Sequence, residues 1–335
     1  MLFVKALRPI LLFALLFSFT AYKASAAETD AIAPLLKNAA DAVFPAFQAA
    51  AGSVMKLLGI TLIVGVAESL LEKGKAPERL FRAAGVFSAF LFLFTDTDGF
   101  LSAVRTASDD MMTVIRTSLP TLSCASAIAG KGADALASEA VYLLAADIAA
   151  GVIRDLLLPA ASGILILAAT ASAFQSEMLT EAGKSLSALL TFFLRMTLTV
   201  FIGYTGFVKT YGIVAGAAVR RGLKLAVSSS IPVVGSIAAE AAESICAMAS
   251  LTRSAAGTGA VLALAAAILS PLIQIGVFAL VFRTASFLAA PLGGESIAGF
   301  VRTASDVYTL LFAMTASLML IGTLVLLAAF LYLGG

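Results

Sequence analysis

Three ionisable side chains, Glu68, Asp147 and Arg195, lie inside long apolar stretches of this sequence. A charge held in mid-bilayer is costly, roughly 2.5–3.5 kcal/mol on insertion scales, so such residues are candidate functional positions by default. Glu68 stands near the end of its apolar run, where snorkelling to the interface competes with a functional role. Asp147 and Arg195 lie deeper. Glu139 and Asp147 fall two turns apart on one helix face, and either can pair with Arg195. A buried structural ion pair and a site facing a lumen account for that pattern equally well. Nothing in the spacing orders these groups into an acid–base relay.

Four prolines, Pro120, Pro159, Pro232 and Pro271, fall in or beside the apolar segments. Each removes a backbone donor, and in lipid the freed carbonyl must find a neighbouring helix, a hydroxyl or water. Broken backbone is therefore tolerated where protein wraps it or where it lines a cavity; an ordinary kink is the competing reading. Ser228-Ser229-Ser230, just ahead of Pro232, can supply hydroxyls. Gly212 and Gly216 form a small-xxx-small pair of the kind that lets helices approach closely.

Several chemistries are excluded by residue type. The sequence has no histidine, which removes His-based triads, proton relays and His-ligated metals. Its two cysteines, Cys124 and Cys246, are too few for a zinc or iron–sulfur centre. No Gly-Lys-Ser/Thr with P-loop spacing occurs, so any energy source is a partner or a gradient. No nucleophile–base pair can be assembled, which leaves an embedded enzyme a distant prospect and implies no cofactor.

The elements that position these residues belong in lipid. Of 335 residues, 61% are hydrophobic and 13% charged. The mean hydropathy is +1.03, whereas a soluble domain runs near 45–50% apolar and about 25% charged. The net charge of +2 is too small and dispersed for a nucleic-acid footprint. The fold class expected is all-α: a polytopic helical membrane protein.

Residues 1–26 read as a secretory signal, with Lys5 and Arg8 ahead of an apolar run and Ala24-Ser25-Ala26 as the cleavage pattern. An uncleaved anchor is the alternative. Residues 27–53 then form a short extracytoplasmic segment, and 54–335 a polytopic domain. Spans are expected at Val54–Leu71, Leu80–Thr95, Leu136–Ile153, Leu156–Phe174, Leu189–Val208, Ala256–Phe287 and Val307–Leu333. Ala256–Phe287, broken by Pro271, is one kinked span or two short ones, so the count is seven, with six or eight open. Phe100, Val104, Ala107, Met111 and Ile115 recur at helical spacing opposite Arg105, Asp109 and Arg116, as in a helix that lies in the interface or covers the bundle.

Basic residues orient the set. Lys73, Lys75, Arg79 and Arg82 mark one cytoplasmic connection, and Lys209, Arg220, Arg221 and Lys224 a second. The Asp96–Asp134 and Glu177–Lys184 connections fall outside, so the first five spans alternate. Sliding the sequence along itself by one fixed offset lays Pro120 on Pro232 and Pro159 on Pro271. This suggests repeat halves at 80–188 and 189–305, inverted if the charge reading holds. Val-Arg-Thr-Ala-Ser-Asp also occurs twice, at Val104–Asp109 and Val301–Asp306, without a physical explanation at this level.

The run Ser230-Ile231-Pro232-Val233-Val234-Gly235-Ser236 resembles the Ile-Pro-Val-Val-Gly signature of the stage III sporulation protein AE family. Ala290-Pro291-Leu292-Gly293-Gly294, before the last hydrophobic helix, is similar too. The order of signal, short extracytoplasmic piece and polytopic domain also fits. The piece before Val54 is shorter than that family implies, and the N-terminal half agrees mainly by hydropathy. The resemblance implies a multi-pass protein in the mother-cell membrane surrounding the forespore. It would be a subunit of a secretion-like channel complex, with ring-forming membrane partners and a separate ATPase. The competing expectation, from Glu68, Asp147, Arg195 and the prolines, is a stand-alone secondary transporter of a small solute.

Overall fold

A computed structural model of the chain describes residues 29–71, 76–126, 132–212, 255–292 and 295–334. The expected signal peptide, the motif residues Ile231, Pro232, Val233, Val234 and Gly235, and Gly293 lie outside the described residues. The elements in order are α1 Thr29–Leu70, α2 Ala76–Ser126, α3 Gly132–Gly151, a π-helical segment Val152–Leu157, α4 Leu158–Phe174, α5 Glu177–Gly212, α6 Ala255–Leu292 and α7 Glu295–Gly334. Helix is the expected outcome for such composition, because only intra-segment hydrogen bonds satisfy the backbone of an isolated span in lipid.

Among the described residues, six helical stretches are long and apolar enough to cross a membrane: Lys37–Leu70, Ala76–Pro120, Val141–Phe174, Glu177–Tyr204, Gly259–Ala289 and Ile297–Ala329. The chain is a polytopic helical membrane protein. Two expected spans, Leu136–Ile153 and Leu156–Phe174, prove to be one. Arg154-Asp155 does not form a connection between them but sits in the π segment of a continuous helix. The two ends of that helix therefore lie at opposite ends of the bundle, whereas charge counting had put the Asp134 and Glu177 connections on the same side. Pro271 does not divide its span, since α6 continues through it. The amphipathic segment Phe100–Ile115 is the distal half of the 51-residue α2, continuous with the Leu80–Thr95 span. At the N-terminal side, α1 passes through Val54 without a break.

α7 is the central helix and packs against α2, α3, α4, α5 and α6. Its inner stripe, Tyr308, Leu311, Met314, Leu318, Ile321 and Val325, recurs at three- and four-residue intervals and is fully buried. Side-chain pairings fix the registers. Phe90 meets Phe300, Thr97 meets Tyr308, and Met111 meets Gly322, so α2 and α7 run parallel with an almost constant offset. Arg283 to Asp306 and Gly276 to Phe312 set α6 antiparallel to α7. Glu68 to Arg82, Val64 to Gly85 and Ser53 to Asp96 set α1 antiparallel to α2.

Close approach requires glycine at two points, since any Cβ there would meet a neighbouring helix. A Cβ on Gly85 would overlap the Val64 side chain, and one on Gly322 would come within 2.8 Å of Leu264 and 2.9 Å of Met111. Gly322 is thus where α2, α6 and α7 meet. An aromatic cluster of Phe100, Phe278, Phe282 and Tyr308 packs mostly edge to face, with Phe278 and Phe282 stacked. Phe100 meets Phe278 at 4.6 Å between centroids, and Phe282 meets Tyr308 at 4.9 Å. The Tyr308 hydroxyl shares a 3.2 Å hydrogen bond with Thr97.

The reversal from α4 to α5 is local chemistry. Gln175 adopts the left-handed conformation, with φ 51. Its N–H and that of Ser176 both donate to the Ala171 carbonyl, which closes the end of α4. The Ser176 hydroxyl then accepts from Leu179 N–H at 3.4 Å and caps α5. α4 is antiparallel to α2, so α5 runs in the same direction as α2, and α6 in the same direction as α3–α4. These are the helices that the offset between the expected halves superposes. Inversion would require them to oppose one another, and in the described residues they do not.

Candidate functional site

The π segment begins with a proline problem. Pro159 lacks an N–H, and its ring would crowd the carbonyl of Asp155 in a regular α-turn. One wider turn just upstream relieves this, with Leu158 N–H donating to the Ile153 carbonyl instead of to that of Arg154. The extra residue turns Ile153 and Leu157 into the core and leaves Asp155 and Leu156 outside.

Arg154 is held there as a fork. Its Nε donates to Asp155 Oδ1 at 2.9 Å and its Nη2 to Asp155 Oδ2 at 3.2 Å, a bidentate arrangement. The remaining Nη1 reaches across to α2 and donates to Asp109 Oδ1 at 3.2 Å. Two turns along, Arg116 of α2 donates to Asp147 of α3 at 3.1 Å. The two cross-helix pairs clasp α2 to the α3–π–α4 helix along a seam open to the outside. The side chains of the seam are between 40% and 67% exposed. In water, each such pair would add about 1 kcal/mol or less.

A second charged group is closed. Arg82 of α2 is nearly fully buried, with Nη2 donating to Glu78 at 3.2 Å and Nε 3.9 Å from Glu68 of α1. This trio fastens the base of the α1–α2 hairpin. It gives Glu68 a specific partner, Arg82, two residues from the end of its apolar helix.

The repeated hexapeptide now has a physical account. In both copies the Val, Ala and Ser side chains are buried: Val104, Ala107 and Ser108 in α2, and Val301, Ala304 and Ser305 in α7. Both Arg side chains, Arg105 and Arg302, point outward. Each terminal Asp accepts from an arginine on an antiparallel helix, Asp109 from Arg154 and Asp306 from Arg283 at 2.7 Å. The hexapeptide is a packing unit with a small-residue inner face and an acidic clasp at its edge. In the common register the two copies lie about 14 residues apart along parallel helices, roughly 20 Å.

Of the residues singled out from sequence, Asp147 pairs with Arg116, not with Arg195 as the spacing had suggested. Arg195 is exposed on α5, flanked by Phe192 and Met196, while Asp147 faces α2. Pro159 adjoins the charged seam. Pro120 is exposed near the end of α2, and Pro271 is half-buried in α6 beside Ser270 and Gln274, whose side chains are linked at 3.4 Å. Glu139, Pro291 and Leu292 have no described side chains.

Arg82, Asp109, Arg116 and Arg154 were missed as a set of cross-helix partners. For Asp109 the available signal was the hexapeptide, whose terminal Asp in each copy reaches an Arg on a neighbouring antiparallel helix; Arg82 and Arg116 carry no such signal. Among the described residues no group of three or more His, Cys, Asp or Glu could hold a metal ion.

Residues 19–331 match the family model for stage III sporulation protein AE, nearly the whole chain, and the chain belongs to that family. No curated protein matches it, and no solved structure does.

Proposed function

We propose that this member of the stage III sporulation protein AE family is an integral membrane subunit of a sporulation-specific, secretion-like channel complex. On this reading the complex links mother cell and forespore, and the chain sits in the mother-cell membrane surrounding the forespore. Ring-forming membrane subunits and a separate ATPase are its partners, and its own part is spanning and assembly rather than catalysis.

The family match over residues 19–331 carries the proposal. Among the described residues, six apolar helices and an exposed charged seam are in keeping with it, since a membrane subunit needs both a lipid face and a face for something else. The lack of a P-loop leaves energy supply to another protein.

The test is genetic and biochemical. A strain lacking the chain should engulf the forespore yet yield few mature spores, and mature spores at the normal frequency would overturn the proposal. Gentle solubilisation from sporulating cells should recover the chain with ring subunits and an ATPase. Recovery of the chain alone, with gradient-driven solute uptake by the purified protein in liposomes, would favour a stand-alone permease.

A further inference from the structure

Helix directions decide which connections share an end of the bundle. The α1–α2 register runs from Ser53–Asp96 through Val64–Gly85 to Glu68–Arg82, which brings the end of α1 beside the start of α2. Arg116–Asp147 and Asp109–Arg154 carry α3–α4 toward that same end. Because α7 runs parallel to α2, Gly276–Phe312 and Arg283–Asp306 carry α6 there as well. The connections 71–75, 175–176 and 293–294 therefore lie at this near end. The far end holds the start of α1, the end of α2, the start of α3, the end of α5 at Gly212, the start of α6 at Ala255 and the end of α7. With each of these helices crossing the bilayer, Gly212 and Ala255 open on one compartment, shared with Ser126, Gly132 and Gly334.

That placement separates two basic groups that charge counting had put on one side. Lys73, Lys75 and Arg79 flank the near end, whereas Lys209 falls in the last turn of α5 at the far end, with Arg220, Arg221 and Lys224 following in the sequence. Basic charge summed over all connections therefore does not choose between the ends. Two features do. The secretory signal expected in residues 1–26, cleaved or not, delivers the start of α1 to the outside. The first span dominates orientation in most multi-pass proteins, and the basic cluster beside α1 follows it, at Lys73, Lys75 and Arg79. Both features put the near end in the cytoplasm.

We propose that the far end of the bundle faces away from the mother-cell cytoplasm, so that Ser126, Gly212, Ala255 and the C-terminal end of α7 open on the space between the two membranes. A partner in that space meets the chain at those positions, and a cytoplasmic partner meets it at the near-end connections. The inference rests on the membrane-subunit reading above for the identity of the two compartments, and adds which end of the chain each of them touches.

Cysteine labelling tests it in the full-length protein carrying C124S and C246S. The protein is made in a bacterium that does not sporulate and treated with a membrane-impermeant maleimide before and after lysis. Maleimide consumes thiolate, so a site reacts only where reagent and water reach it. K131C, G212C, A255C and G334C should label in intact protoplasts, and K75C and E177C only after lysis. The reverse pattern overturns the orientation. Labelling of G212C in intact protoplasts with A255C labelling only after lysis, or the converse, overturns the shared side of α5 and α6. As an independent readout, alkaline phosphatase fused after Gly335 should be active, since it matures only outside the cytoplasm, and a cytoplasmic fluorescent reporter there should be dark. The opposite pair of results also overturns the orientation. Neither readout involves spores or partners. The stated orientation together with normal spores from a strain lacking the chain would remove the channel-complex reading alone. The opposite orientation together with a spore defect would remove this inference alone.

Discussion

Arg82 and Arg154 each stand between two carboxylates, one on their own helical segment and one on an antiparallel neighbour. Glu78 and Glu68 flank the first, Asp155 and Asp109 the second. The side chain of Arg82 is 7% exposed and that of Arg154 40%. Burial changes what the same chemistry does. Around Arg82 the charges have lost their water, so removing any member leaves the others stranded in a low-dielectric interior. Around Arg154 the partners stay accessible, and solvent or a neighbouring molecule can replace any one of them. The first group is a fastener; the second is a surface whose charges remain available.

Substituting each arginine should separate the two most strongly. R82A should lose about 3–5 kcal/mol, as in the breaking of a buried ion pair, measured by unfolding of the detergent-solubilised protein. An R82A protein as stable as its parent would place Glu68 and Glu78 in water and erase the contrast. G322V should cost about 1–3 kcal/mol by forcing Leu264 and Met111 apart. No loss would undo the register that sets Asp109 and Asp306 on parallel helices. S108A and S305A sharpen the equivalence of the two hexapeptides, since both serine hydroxyls are buried without a hydrogen-bond partner in the described structure. Each change should gain about 1 kcal/mol by removing an unsatisfied hydroxyl. A gain at one site with a loss at the other would show that the copies are not the same unit. R154Q should move stability by less than about 0.5 kcal/mol, as expected of an exposed pair. The same variant should still reduce mature spore yield, and normal spores from R154Q cells would leave the open seam without a role.

Much of the bundle could be read from residue order because lipid leaves helices few alternatives. The inner stripe Phe100–Val104–Ala107–Met111–Ile115, buried from Val104 onward, follows directly from helical spacing, and Arg105, Asp109 and Arg116 fall on its outer side as that spacing demands. Arg154-Asp155 misled the reading for a physical reason. Two adjacent charges in an apolar run look like a connection between spans, and only Asp109, far earlier in the chain, shows why they can remain mid-helix. A pairing of Asp147 with Arg195 stays open in the sequence because helix spacing reports faces and not neighbours. Which helix a face meets is decided by packing, here by the path of α2 along α3. The closed trio at Arg82 was hidden in the same way, with its three members divided between an apolar span and a basic connection.

The π segment also acts as a phase setting for the helix that contains it. The stretch from Val152 to Leu157 accommodates one residue more than regular α-helix would. Deleting a single residue there would close the wider turn without breaking the chain, and would bring back the crowding at Pro159 that the turn relieves. Everything before the deletion would then be rotated by about 100° relative to α4, the angle of one residue in a turn of about 3.6 residues. Asp147 would swing away from Arg116, and Tyr142 and Ala146 would leave the core. The side of α3 that meets α2 is therefore selected by chain length as much as by side-chain type.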